Sequence, residues 1–505
     1  MSAKSSASHP AGFGEGLTPS IEQVWAIFAE IEARENLQQW RIGSIYLWPL
    51  LRGMLMREVT EQLGIFERRP ESAKLDFAAA TAGAGGSASA GGSAGGTSKP
   101  VATFVPADYA VVPFTRRNAG GLDPFSDFIV DSLKAHGQTP LILGMGPDDV
   151  GSGRPQVEQL EQEFTARYGN LARLLVAPTL RKSHAAKYAR VIGHVESELL
   201  SAAGHIGLDL TKITGPYRQF PRWLLVQFAA QRMGWKKFFL TAKVRKVFIV
   251  NAWKRSLIAG AQAAGVTVVE PQHGAISGIH PYLSWAGQTE VAYQPDEFLE
   301  WGEYWGDVAQ LPASTKRKVI GAPAFITEAI ERAGELAKAG EAHQPKTVLI
   351  ASQAHASKAI VEFLLEAAAA NPDFIFTLKQ HPQEAPADFG RNAPANLLLA
   401  DPAANTLDLM ARSEFVLGVY TTALFEALAL GCKVGVLGFS GWQHIRGLVD
   451  QGDATLIETQ AELHRFFAES RSGKTTESAW ANRADYYYAQ PASEAELWAA
   501  IKIAE

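Results

Sequence analysis

Two histidine loops in this 505-residue chain have the residue types needed for proton transfer or phosphate recognition. The stretch "VVEPQHGAISGIHPYL", residues 268–283, begins as a β-branched apolar run. It then presents Glu270, Pro271, Gln272, His273 and Gly274, followed by a second pair at His280-Pro281. Further along, "FIFTLKQHPQE" brings Lys379, Gln380, His381 and Pro382 to the end of another apolar run. A near-neutral imidazole can take a proton from a hydroxyl as that hydroxyl attacks carbon or phosphorus. His273 is therefore the candidate base, and Glu270, three residues before it, the alternative. Gly274 would let the backbone turn sharply or approach a ligand, and with Gln272 it forms the expected acceptor loop. Lys379 offers phosphate oxygens a point charge and His381 a hydrogen-bond donor, on a loop that Pro382 stiffens.

A third arrangement is Val419-Tyr420-Thr421-Thr422, which opens the helical "ALFEALALG". A threonine pair at a helix start can cap it. The same unpaired N–H groups and hydroxyls can gather an anion, so Thr421 and Thr422 are a candidate anion site as well as a cap. Glu426, one turn on, is placed to reach a ribose hydroxyl, with a solvated helix carboxylate as the plainer reading.

These loops need strands to carry them. "YAVVPF" (109–114), "PLILG" (140–144), "RKVFIVN" (245–251), "VTVVEP" (266–271) and "DEFLEWG" (296–302) are apolar runs alternating with amphipathic helical stretches. After "VIGAPAF" the pattern restarts with "KTVLIAS" (346–352), "DFIFTLKQH", "NLLLAD", "FVLGVY" and "KVGVLGF". Continuous apolar strands between helices indicate parallel sheets covered on both faces. The expected fold is α/β, with two tandem Rossmann-like domains facing a cleft and an N-terminal helical extension. The expected units are a disordered leader at 1–19, a helical module at 20–77 and an Ala/Gly/Ser linker at 78–100. An N-terminal Rossmann-like domain at 101–322 and a C-terminal one at 323–505 follow. Residues 150–245 read as helix-rich, and the helical module is expected to pack on its own chain.

Hydrophobic residues make up 47% and charged residues 20%, the balance of a soluble globular protein. A net charge of -5 gives no case for nucleic acid. One cysteine, Cys432, excludes an internal disulfide and a multi-cysteine metal site. No apolar stretch is long enough to span a bilayer, and the N-terminus lacks the apolar core of a secretory signal. The expected location is the cytoplasm, with peripheral inner-membrane attachment and other assembly proteins as compatible partners. No P-loop and no G-x-G-x-x-G after a strand is present, nor any H-E-x-x-H or Cys/His cluster, so neither cofactor nor metal is expected.

The three loops, in this order on two such domains, resemble bacterial surface-polysaccharide glycosyltransferases of the GT-B fold that carry a K-x-H-P motif. That group includes capsular Kdo transferases, bacterial sialyltransferases and CDP-glycerol glycerophosphotransferases. "FLEWG…VIGAP" is similar to their interdomain linker, and "TTALFEALALGCKVGVLG" to their donor-binding helix and strand. The resemblance spans roughly residues 245 to 440. It implies metal-independent transfer of a sugar from a nucleotide donor, a CMP-sugar foremost, to a surface polysaccharide or glycolipid. His381 with Thr421 and Thr422 would hold the donor phosphate, facing His273 across the cleft. "PQHG" resembles the "WHG" loop of the glycerophosphotransferases and implies His273 as base, whereas the sialyltransferases and many Kdo enzymes use an acidic residue. The alternatives are CDP-alditol phosphotransfer and a non-catalytic scaffold in surface glycan assembly. A nucleotide-sugar epimerase is weaker, because its acidic and arginine loops are not evident.

Overall fold

The apolar runs pair into two six-stranded parallel sheets. The computed structural model describes residues 20–62, 106–114, 123–145, 154–203, 220–250, 253–285, 287–288, 290–381, 384–391, 393–471 and 484–503. A short antiparallel hairpin, β1 (Arg41–Ile42) and β2 (Ile45–Tyr46), comes first. The first sheet contains β3 (Tyr109–Val112), β4 (Leu141–Ile142), β5 (Lys246–Ile249), β6 (Thr267–Pro271), β7 (Glu297–Glu300) and β8 (Lys316–Val319). Its order is β4-β3-β5-β6-β7-β8. The second contains β9 (Gln344–Ala351), β10 (Ile375–Lys379), β11 (Leu397–Leu399), β12 (Ser413–Gly418), β13 (Lys433–Leu437) and β14 (Thr455–Ile457), in the order β11-β10-β9-β12-β13-β14.

In each sheet the chain builds outward in one direction, returns to the middle and builds outward in the other. The reversal falls between β3 and β5 in the first sheet and between β9 and β12 in the second. Such switch points leave a crevice at the carboxyl ends of the strands, where ligands of α/β proteins bind. Helices on both faces explain why β3 and β5 are buried along their whole length.

Two outer strands were not anticipated. β8 is "KRKV", whose three cations mask a strand while protecting a sheet edge, and β14 has only three residues.

The helices α1 (Ile21–Glu35) and α2 (Trp48–Gln62) pack on the first domain. Their Val24, Phe28, Leu51 and Val59 share a core with Val191, Val195, Leu225, Trp285 and Tyr293. Arg190 binds Glu35 at 2.8 Å, and the Tyr46 N–H donates to Tyr293 Oη at 3.0 Å. The leader (1–19), the end of the module beyond 62 and the 78–100 linker lie outside the described residues.

The expected second domain, 323–505, ends short of the chain terminus. The last helix, Glu494–Ile501, returns to the first domain, where Trp498 stacks on His136 with ring centroids 4.1 Å apart. Lys246 Nζ donates to Lys502 O at 3.1 Å, and Lys318 Nζ to Ala500 O at 2.7 Å. The outward and return crossings between the domains are also tied together. The Ala322 N–H donates to Ala489 O at 2.8 Å, and the Ala492 N–H to Ile320 O at 3.0 Å. No local pattern in the sequence signals this long-range return.

Candidate functional site

β6 carries the first histidine loop. Gln272 is buried and uses both ends of its amide on backbone: Oε1 accepts from the Trp301 N–H at 2.9 Å, and Nε2 donates to Gly274 O at 3.0 Å. It clamps the loop. Gly274 has no left-handed φ, and a Cβ there would meet nothing within 4 Å. Neither a left-handed backbone nor the packing of the protein requires glycine at this position. His273 keeps 23% of its side chain exposed, and its Nδ1 lies 4.0 Å from Glu270 Oε1. Phe114 and Phe125 flank the ring at 5.3 and 6.4 Å. This burial lowers its pKa to about 4, so the imidazole is neutral at pH 7. Glu270 is only 2% exposed and lies behind the histidine.

The same loop continues to His280, whose Nδ1 accepts from the Leu283 N–H at 3.2 Å and the Tyr282 N–H at 3.4 Å. Nε2 is left to carry the proton. Burial, then the neighbouring His273, His444, Arg255 and Arg52, push its pKa down to about 3. Two buried arginines hold this segment. Arg255 donates to Tyr293 O and Tyr282 O at 2.6 and 2.8 Å. Arg52 of α2 donates to Pro281 O at 3.0 Å and pairs with Glu32. Arg52 also lies between the rings of Trp25 and Trp285, at 4.4 and 4.1 Å. The helical module thus fixes a loop of the first domain.

The second domain assembles its loops at the β9/β12 switch point. Gln353, just past β9, brackets one peptide of the β12 loop: Nε2 donates to Tyr420 O at 3.0 Å, and Oε1 accepts from the Tyr420 N–H at 2.7 Å. Thr421 caps the helix Thr422–Ala429, its hydroxyl accepting from the Ala423 N–H at 3.2 Å. The capping reading holds, and Thr422 opens the helix. Glu426 is half-buried, and burial pushes its carboxyl up to about 7.

The K-x-H-P loop is arranged differently from expectation. Lys379 Nζ donates to the carbonyls of Asp401 and Pro402 at 3.1 and 2.7 Å, joining the β10 loop to the β11 loop. Its charge is committed to backbone rather than extended towards a ligand. His381 is exposed; its N–H donates to Glu384 Oε1 at 3.0 Å, and Ser352 Oγ donates to Glu384 Oε2 at 2.7 Å. Pro382 lies outside the described residues.

The second domain reaches the first histidine loop with His444, which the sequence reading passed over. Ser277 Oγ and His444 Nδ1 lie 3.0 Å apart, and Tyr420 sits 5.2 Å from the His444 ring. Gly441 permits this: its φ is +93°, and a Cβ there would press on the Tyr420 ring. Beside it, Arg446 binds Glu22 of α1 at 2.5 and 2.9 Å. Behind these contacts one apolar core spans both domains, with Tyr304 and Trp305 packed on Phe425.

Two doubly wound parallel sheets whose carboxyl-end loops meet define a fold of the GT-B type. Among solved structures, the chain is similar to UDP-GlcNAc 2-epimerase from Neisseria meningitidis, with 15% identity, 75% of this chain and 96% of that one covered, and a TM-score of 0.43. It is also similar to MurG from Acinetobacter baumannii (14% identity, 78% and 98% covered, TM-score 0.44) and to the spinosyn forosaminyltransferase SpnP (12%, 78% and 98%, 0.42). No family model matches the chain, and no curated protein matches it.

Proposed function

We propose that the chain is a glycosyltransferase that moves a sugar from a nucleotide donor, a CMP-sugar foremost, to a surface polysaccharide or glycolipid. The supporting observation is the β9/β12 switch point, where Gln353 fixes Tyr420 ahead of a capped helix start and Glu426 follows one turn later. The helix N–H groups and the Thr421 and Thr422 hydroxyls suit a nucleotide phosphate, and Glu426 as carboxylate suits ribose hydroxyls.

On the facing loop, His273 takes the acceptor hydroxyl's proton while that oxygen bonds to the donor's anomeric carbon. The bond from that carbon to the phosphate oxygen breaks, and its electron pair leaves with the nucleotide. A base with a pKa of about 4 is weak, so transfer becomes favourable late, when the bonding oxygen has become acidic. Glu270, buried behind the ring, stabilises the imidazolium that forms. His381, on its exposed loop, is the proposed further contact to the donor phosphate.

That His273, rather than Glu270, faces the loop surface favours a second reading, transfer of an alditol phosphate from a CDP-alditol. There the attacked atom is phosphorus and CMP departs. A thermal-shift panel of CMP, CDP, UDP and GDP tests the donor site. A nucleotide at 100 times its dissociation constant should stabilise the protein by ~2.7 kcal/mol. The shift should vanish in a Thr421→Ala/Thr422→Ala variant, and CMP-sugars against CDP-glycerol in a transfer assay separate the two readings. No shift with any nucleotide would leave only a scaffold.

A further inference from the structure

We propose that the corner between the helices Val157–Val176 and Lys182–Ala203 is a docking surface for an anionic lipid membrane. One apolar stripe runs the length of the first helix at helical spacing: Val157, Leu160, Phe164, Leu171 and Leu175, with Leu174 beside it. Its first half is covered. Val157 is fully buried, and Phe164 packs edge-on against Trp235 at 5.2 Å, so closely that Gly234 has no room for a Cβ. Its second half is not: Leu171, Leu174 and Leu175 are 48%, 72% and 56% exposed. Isolated exposed leucines are ordinary, whereas three on one helical face mark an interaction site.

Charge selects the partner. From Phe164 to Val195 there is no acidic residue, in a chain whose net charge is -5. Lys187 and Arg190 in that segment hold α1, through Glu35 O and the Glu35 carboxylate. Arg167, Arg173, Arg181 and Lys182 are exposed, with no carboxylate partner among the described residues. Apolar side chains ringed by exposed cations suit lipid headgroups and the acyl boundary beneath them. Among the described residues no helix is long and apolar enough to cross a membrane, so this attachment lies on the surface. Val176, at the end of the stripe, is buried in the same core as Trp285 and Tyr293, which support the His280 loop. A docked membrane would therefore lie on the side of the first domain expected to meet the acceptor. The inference rests on the first domain alone, whichever nucleotide the second one binds.

The test is flotation of the full-length protein with vesicles of phosphatidylcholine, with or without phosphatidylglycerol. Binding should require phosphatidylglycerol and fall with salt. Replacing Leu171, Leu174 and Leu175 with Ser should weaken it at least about tenfold. Arg173→Gln/Arg181→Gln/Lys182→Gln should weaken it about fivefold per charge. Both variants should keep the wild-type melting temperature and nucleotide shift, and Leu174→Phe should keep binding. Three outcomes overturn the proposal: no phosphatidylglycerol-dependent binding, undiminished binding of the leucine variant, or a wild-type dimer by light scattering that the leucine variant dissociates. The last would assign the face to a second copy of the chain.

Discussion

Ser277 Oγ and His444 Nδ1 lie 3.0 Å apart although 167 residues separate them in the chain. The contact joins the loop that carries His273 and His280 to the segment beside Tyr420. Ser277→Ala and His444→Ala should each lower transfer, and the double variant should be no worse than the poorer single one. Such non-additivity marks a pair acting as a unit. Fully multiplicative effects in initial-rate measurements would show that the pair does not work together.

His273→Ala should reduce turnover about a hundred- to ten-thousandfold, the range for lost general-base catalysis, with nucleotide affinity unchanged. Because burial holds this imidazole near 4, wild-type turnover at saturating donor should be flat above about pH 5.5 instead of rising through an ordinary value near 6.5. Glu270→Gln should retain measurable activity. A dead Glu270→Gln enzyme alongside an active His273→Ala enzyme would give the role of base to the carboxylate.

Much of the fold was legible because buried parallel strands read as continuous apolar runs, as at β5, β6, β12 and β13. The edge strand β8 was not, since Lys316, Arg317 and Lys318 belong to the sheet's defence and not to a core. In the site, the Thr421 cap was readable from its position before an apolar helix. Gln353, Ser277, Arg52 and His444 were not, because each acts on a residue remote in sequence and carries no local pattern. Lys379 looked like a phosphate ligand for the same reason: the carbonyls of Asp401 and Pro402 that occupy it lie beyond its own loop.

Glu426 should give nucleotide binding a pH dependence. Its carboxyl is pushed up to about 7, so at pH 6 it is mostly protonated and at pH 8 mostly a carboxylate. If the carboxylate holds ribose, nucleotide affinity should rise across that interval. Calorimetric titrations of Glu426→Gln should be weaker at pH 8 and flat with pH. An unaltered pH profile in the variant would remove Glu426 from the site.

His280 should make the fold acid-sensitive. Its folded pKa is about 3, against about 6.5 unfolded, so between these values the unfolded chain binds the extra proton. Its contribution to stability is complete above 6.5 and is lost as pH falls towards 3. Glu300 and Glu426, both raised to about 7, act in the opposite sense, losing their contribution as pH rises from the ordinary carboxyl value towards 7. Urea melts of His280→Asn at pH 7 and pH 5 should show a smaller loss on acidification than the wild type. An equal loss would place the acid sensitivity elsewhere.

The two chain crossings between the domains are hydrogen-bonded side by side, Ala322 to Ala489 and Ala492 to Ile320. Gly321 lies against them with φ at +84° and no room for a Cβ beside Gln490 and Pro491. A single crossing would act as a swivel, free to turn in any direction. Two hydrogen-bonded crossings restrict the relative rotation of the domains more than one would. The doubled connection thereby favours the one register of the two domains in which Ser277 meets His444.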